Sequence, residues 1–167
     1  MNFLIFSDSH GRSDNINEVL DRAGKYDGVF FLGDGLRDLM YCDFSGRPVY
    51  SVRGNCDFSG FYGDVSADRY KILDICSKRI FLTHGHEFDV KHGLDRIIYA
   101  AQERDIDIVI FGHTHKKLEM RLTPESIPTL KKPLCLFNPG SIGSHEASFG
   151  RLDINSRGEV LFSHGEL

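Results

Sequence analysis

Long apolar runs are missing from this sequence. The first, Phe3 to Phe6, gives way to Ser7 and Asp8, whereas a membrane span needs about 20 apolar residues and a secretory leader a core of about 7–15. No later stretch reaches spanning length, so a cytoplasmic protein without a membrane partner is expected. Cysteine is scarce, and Cys42, Cys56, Cys76 and Cys135 stand at no zinc-ligand spacing. In a reducing cytosol all four are expected as free thiols, with Cys42, Cys76 and Cys135 as small packing residues. A basic excess is absent too. The net charge of -4 argues against a nonspecific nucleic-acid binder, and no basic, aromatic-rich strip suggests a nuclease. Repeats, low-complexity tracts and linkers are also lacking. The one loose stretch, residues 123–133, holds Pro124, Pro128 and Pro133 and reads as a loop. What remains is a chain of 167 residues, 41% hydrophobic and 26% charged, which suits a single domain over residues 1–167 with its own core.

The apolar pattern predicts strands over residues 2–6, 28–32 and 49–53, then a pair over 69–76 and 79–83 joined by a turn at Ser77-Lys78. Further strands are predicted over 106–111, 118–122, 134–137, 148–154 and 159–163, the last two as a hairpin through residues 155–158. Ile16, Val19, Leu20 and Ala23 mark one amphipathic helix, with Ser13 or Asp14 as its cap. Leu94, Ile97, Ile98 and Ala101 mark another. Helices alternate with strands early and strands dominate late. That order points to an α/β fold, a four-layer α-β-β-α sandwich of two mixed sheets flanked by helices.

Five polar groups each follow a predicted strand: Asp8-Ser9-His10, Gly33-Asp34-Gly35, Gly54-Asn55-Cys56-Asp57, His84-Gly85-His86 and Gly112-His113-Thr114-His115. In α/β sheets, ligands bind beyond the carboxyl ends of the strands, so one fold-level inference gathers all five on one edge. Carboxylate, imidazole and amide oxygen are ligands for divalent manganese, iron, nickel or zinc. Alone, an Asp-x-His or a Gly-Asp-Gly reads as an ordinary turn; five such groups in this order do not. His92, His145 and His164 belong to no group and read as surface or loop histidines.

The set resembles the calcineurin-like metallophosphoesterase superfamily, whose pattern is Asp-x-His, Gly-Asp, Gly-Asn-His-Asp/Glu, a lone His and Gly-His-x-His. The short length, Gly54-Asn55-Cys56-Asp57 and Asn138-Pro139-Gly140-Ser141 are similar to the small bacterial and archaeal phosphodiesterase branch. The resemblance implies one ion held by Asp8, His10, Asp34 and His115. It implies a second held by Asp34, Asn55, His84 and His113, with Asp34 as the bridge. The cofactor would be two divalent ions per chain, manganese first, with nickel, iron, zinc or magnesium as alternatives. Two ions about 3.5–4 Å apart would activate a bridging water as hydroxide for in-line attack on phosphorus. Asp34, Asn55 and His84 are the catalytic candidates. Arg12, Arg53, Cys56 and His86 are the substrate-binding ones, Arg12 and Arg53 being equally compatible with solvated surface residues.

Cys56 departs from the histidine of many relatives, which is thought to protonate the leaving group. A thiol with an ordinary pKa of about 8.5 is a poor acid, so activated phosphodiesters are expected as substrates. Histidine at position 56 is expected to favour monoesters, provided that Asp57 orients the ring. The alternatives are a noncatalytic protein-interaction scaffold of the same fold and a phosphomonoesterase. Domains of this kind often pair, which leaves a homodimer open.

Overall fold

Successive residues of a strand face opposite ways, and most of the central strands here are apolar on both faces. In β1 (Asn2–Phe6) and β2 (Gly28–Phe31), Phe3, Ile5 and Phe30 join one core cluster while Leu4, Phe6, Val29 and Phe31 join another. Strands covered on both sides read as continuous hydrophobic runs, which is why they were legible. The fold comes from a computed structural model that describes residues 1–57 and 68–167.

Helix α1 (Ser13–Arg22) places Ile16, Val19 and Leu20 on the outer face of the first sheet. After β3 (Val49–Ser51) come β4 (Tyr70–Ile75) and β5 (Lys78–Thr83). Helix α2 (Asp95–Glu103) follows, then β6 (Ile108–Phe111), β7 (Lys117–Leu122), β8 (Leu134–Pro139), β9 (Ser148–Ile154) and β10 (Val160–Glu166). Short 3-10 turns cover Leu36–Tyr41 and His86–Phe88.

Among the described residues the strands form two sheets, ordered β10-β9-β1-β2-β3 and β4-β5-β6-β8-β7. Both are mixed. β1, β2 and β3 run parallel in one, and β5, β6 and β8 run parallel in the other. Between them lies a layer containing Phe3, Ile5, Phe30 and Leu32 from one side and Ile80, Leu82, Ile108, Ile110 and Phe137 from the other. Phe137 stacks on Phe162, with ring centroids 4.4 Å apart. Helix α2 covers the outer face of the second sheet through Ile97 and Ala101, against Phe81, Val109 and Phe111. This is the α-β-β-α sandwich expected.

Three local expectations shift. Neither Ser13 nor Asp14 caps α1: Ser13 is already helical, Arg12 holds the capping position, and no side chain bonds the helix start. The chain instead enters the helix through a turn in which the Arg12 N–H donates to the Ser9 carbonyl at 2.9 Å. The β4–β5 turn falls at Cys76-Ser77, with φ of 49° and 63°, because Ile75 pairs with Lys78. β10 extends to Glu166 and so takes His164 out of a loop and into the sheet.

Ile110 is fully buried between the sheets. Ile110→Ala is expected to lower the free energy of unfolding by about 2–5 kcal/mol, measured as a shift in the urea midpoint at unchanged slope. A loss of under about 1 kcal/mol would show that this layer is not close-packed.

Candidate metal centre

Parallel strands end on the same side. β1, β2 and β3 deliver Asp8, Asp34 and Asn55 to one edge of the first sheet, and β5 and β6 deliver His84 and His113 to the matching edge of the second. The two edges abut. The His113 N–H donates to Asp8 Oδ2 at 3.0 Å, and His115 Nε2 lies 3.1 Å from Asp8 Oδ1.

The donors fall into overlapping groups. One donor atom each from Asp8, His10 and His115 lies within 4.8 Å of the others, and the same holds for Asp34, His84 and His113 and for His10, Asp34 and Cys56. Asn55 Oδ1 joins the second group, 3.2 Å from His84 Nε2. The structure thus brings together all seven residues expected as metal ligands. His84 is the most fixed of them. Its Nδ1 donates to the Leu32 carbonyl at 2.7 Å, which leaves Nε2 facing Asp34 Oδ2, 3.3 Å away.

The backbone beneath the donors is strained. Asp8, His10, Asp34, His113 and His115 all have φ between 45° and 66°, a left-handed conformation that costs a non-glycine residue about 1–3 kcal/mol and persists only where its surroundings impose it. Four residues impose it here. Asp57 accepts the N–H groups of Asp34 (2.7 Å), Gly35 (2.9 Å), Leu36 (2.9 Å) and Gly54 (2.8 Å). Asp38 accepts the Ser9 hydroxyl at 2.5 Å and the Gly11 N–H at 2.8 Å. Ser141 donates to the Asp8 carbonyl at 2.8 Å. Asn138 donates to the Gly112 carbonyl at 2.8 Å. Gly33 and Gly54 let the second and third loops touch: a Cβ on Gly33 would collide with the backbone of Gly54, and one on Gly54 with the Asp34 carboxylate.

Electrostatics define what belongs at the centre. Asp8 and Asp34 are buried. Burial alone would raise the Asp34 pKa, but the hydrogen bond and charge of His84 and the Cys56 N–H at 2.7 Å hold it well below the usual carboxylate range. Burial likewise opposes charge on His84, yet Asp34 and Asp8 outweigh it and raise its pKa. Burial and then the charge of His84 push His113 down to about 4. The hydrogen bond to Asp8 raises His115. Buried carboxylates therefore draw a proton onto a neighbouring imidazole, the place where a cation would sit. Oxygen and nitrogen donors with two buried negative charges fit divalent metal.

Among the substrate-side candidates, Arg53 lies within electrostatic reach of His86, and burial followed by the charge of His84 lowers the His86 pKa. His86 Nδ1 is buried without a described partner. Arg12 is exposed, and no described side chain pairs with its guanidinium. Cys56 opens to solvent beside Asp34, its thiol pushed up to about 11 by burial and then by Asp34, Asp57 and Asp8. Of the remaining histidines, His92 pairs with Asp89 at 2.6 Å and His145 is exposed. His164 corrects its expectation: it stacks on Phe137 and donates to the Asn138 carbonyl at 2.8 Å.

Asp38 and Lys91 carry no signal in the sequence, and Asn138 and Ser141 stand out there only as part of a motif, with no role in the site. Lys91, in the loop after the His86–Phe88 turn, adds a positive charge that opposes protonation of both rings, behind burial and His84 at His113 and against the stronger pull of Asp8 at His115. No motif marks it. Asp57 was read as a partner for position 56, but its carboxylate is committed to four backbone amides. It cannot orient a ring there, and the gain expected from histidine at position 56 loses its premise.

Asp57→Asn replaces one of the two accepting oxygens with an amide NH2 that faces backbone donors. It is expected to lower the stability of the metal-free protein by about 2–3 kcal/mol, read by urea unfolding. An unchanged midpoint would show that the four amides do not depend on the carboxylate.

A model of the calcineurin-like phosphoesterase superfamily domain matches residues 1–157. The probable metallophosphoesterase YsnB of Bacillus subtilis is 34% identical over 116 residues, which are 69% of this chain and 64% of that protein. The match thus spans a little under two thirds of the relative's length. Among solved structures, an archaeal protein described as a novel phosphodiesterase has a TM-score of 0.73 at 20% identity over 100% of both chains. Vps29 from Entamoeba histolytica also has a TM-score of 0.73, at 22% identity over 100% of this chain and 99% of its own. At such identities the likeness shows a shared fold and nothing about activity. With the family model reaching from the first residue to residue 157, the chain belongs to the calcineurin-like phosphoesterase superfamily.

Proposed function

We propose that this protein is a phosphodiesterase with a dinuclear metal centre. The observation that carries the reading is that Asp34, buried and stripped of its proton, belongs to more than one donor group. Asp8, His10, Asp34 and His115 would hold one divalent ion, and Asp34, Asn55, His84 and His113 the other. When bound, the ions supply Lewis acidity: they polarise the phosphoryl group, acidify water in the site and offset charge on the phosphoryl oxygens.

The chain's own residues do the rest. The Leu32 carbonyl fixes the tautomer of His84, so that its Nε2 presents a lone pair. Asp57, Asp38 and Ser141 hold the loops that carry Asp8, Asp34 and Asn55, so the donors are in place before substrate arrives. Arg53 and His86, with Arg12 further out, would hold and orient the phosphate. Cys56, with its thiol at about 11, is too weak an acid to protonate a leaving group near neutral pH. That favours diesters with good leaving groups over unactivated monoesters, which add a negative charge as well. Manganese is the expected ion and the cytoplasm the expected compartment. The scaffold alternative draws on the likeness to Vps29; the convergence of all seven donors supports hydrolysis instead.

Metal analysis of the purified protein is expected to give about two divalent ions per chain. Assays on p-nitrophenyl phosphate and bis-p-nitrophenyl phosphate should show a kcat/KM at least about tenfold higher for the diester, a gap of about 1.4 kcal/mol in transition-state stabilisation, with no turnover after chelation. Full activity without metal would overturn the reading. Preference for the monoester would make the protein a monoesterase, and bound metal without turnover of either ester would return it to the scaffold class.

The shared ligand gives a second test. Losing a mere support of a ligand costs about 10–100-fold. Asp34→Asn should therefore reduce kcat/KM by more than about a hundredfold, further than His10→Ala or Asn55→Ala. A variant that keeps both ions and most of its rate would show that Asp34 is not the bridge.

A further inference from the structure

The third donor group, His10, Asp34 and Cys56, is unexplained by the ligand sets above. One donor atom of each lies within 4.8 Å of the other two. On one tetrahedral zinc ion, with bonds of about 2.3 Å to sulfur and about 2.0–2.1 Å to nitrogen, the two donor atoms stand about 3.6 Å apart, so this spacing closes on an ion after side-chain rotation. The thiol is not loosely placed. The turn at Asn55-Cys56 is tied down at Gly54 by Asp57, the Cys56 N–H donates to Asp34 Oδ1 at 2.7 Å, and Asn55 Nδ2 donates to Cys56 Sγ at 3.2 Å. Two of the three residues, His10 and Asp34, already belong to the proposed first ion. The sulfur thus faces a position where metal is independently expected.

We infer that Cys56 Sγ is a selective ligand of that first ion, engaged by thiophilic metals and passed over by hard ones. The inference rests on the metal reading under Proposed function and adds a property to it. Zinc, cobalt and cadmium form bonds to thiolate, whereas manganese and magnesium favour oxygen. On binding zinc, the sulfur–metal bond forms as the sulfur–hydrogen bond breaks, and the proton leaves to solvent. The thiolate then fills a coordination position and adds negative charge. The zinc form is therefore tighter but more closed, and the manganese form keeps the open position that a substrate needs. Position 56 becomes a metal-selectivity determinant, which accounts for a thiol where a proton donor would otherwise stand.

The test uses cobalt(II) as a probe on metal-free wild type, Cys56→Ser and Cys76→Ser. Wild type and Cys76→Ser should show visible cobalt bands and, in addition, a near-ultraviolet thiolate-to-cobalt charge-transfer band. Cys56→Ser, an isosteric change at an exposed position, should keep the visible bands and lose the near-ultraviolet one. Zinc affinity, measured by competition with a chromophoric chelator, should fall by about tenfold or more in Cys56→Ser, in the range expected for a metal-site substitution, while manganese affinity stays within about threefold. Visible bands without the charge-transfer band in wild type would overturn the inference and leave the metal centre intact. So would equal zinc affinity in wild type and Cys56→Ser, or loss of the band in Cys76→Ser. Failure of all three proteins to bind cobalt at all would overturn the metal reading itself, and this inference with it.

Discussion

Two carboxylates with almost no solvent, Asp8 and Asp34, set the terms for the rest of this molecule. A buried charge is tolerated only when paired and hydrogen-bonded. Here the compensation comes from both sheets at once. Backbone amides of His113 and Cys56 donate to the carboxylates, and the imidazoles of His84 and His115 approach them. An apolar layer has to bring two independent strand edges into register for this to happen. The two-sheet sandwich is the arrangement that lets an acid from one sheet meet a base from the other.

The same constraint explains why polar residues are concentrated behind the donors. Five left-handed residues at the strand ends would relax if their loops were free. Asp57, Asp38, Asn138 and Ser141 prevent this by bonding to the backbone. None of them needs to touch a substrate. Their role is to fix where lone pairs point, which is the form of preorganisation on which an electrostatic site depends. His164 extends the chain of support one step further, since it bonds the carbonyl of Asn138 and lies on the strand farthest from β3 in its sheet.

The fold and the convergence of the candidate donors were legible because the signals were local. A buried strand is an apolar run, and a donor group directly after it is a sequence neighbour. What escaped was long-range pairing, which leaves no local signature even where, as at Ser141, the residue sits in a recognisable motif. Asp38 acts on Ser9 across 29 residues and Ser141 on Asp8 across 133, and no spacing rule connects them. Asp57 was misassigned because adjacency to Cys56 suggested a side-chain pair, whereas the loop turns its carboxylate back onto Asp34, Gly35, Leu36 and Gly54. The Cys76-Ser77 turn was misplaced by one residue because it uses left-handed backbone at two positions without the glycine or asparagine that normally announces it. The 3-10 turns were too short to display a period, and Lys91 was one surface lysine among several.

The abutting sheet edges also bear on how the chain reaches its native state. Asp8 and His115 are 107 residues apart, and His84 and Leu32 are 52 apart, so the closing contacts are among the most costly in loop entropy. Strands β1 to β3 alone carry Asp8, His10, Asp34 and Asn55 but only one imidazole. β5 and β6 alone carry His84, His113 and His115 but neither buried carboxylate. The imidazoles that complete either proposed donor set arrive only when both sheets have met, so the finished fold is the form that holds an ion most fully. Bound metal then raises the stability of that fold by mass action. Metal supply would add to a stability that the apolar layer and the hydrogen bonds of Asp57 and Asp38 already provide.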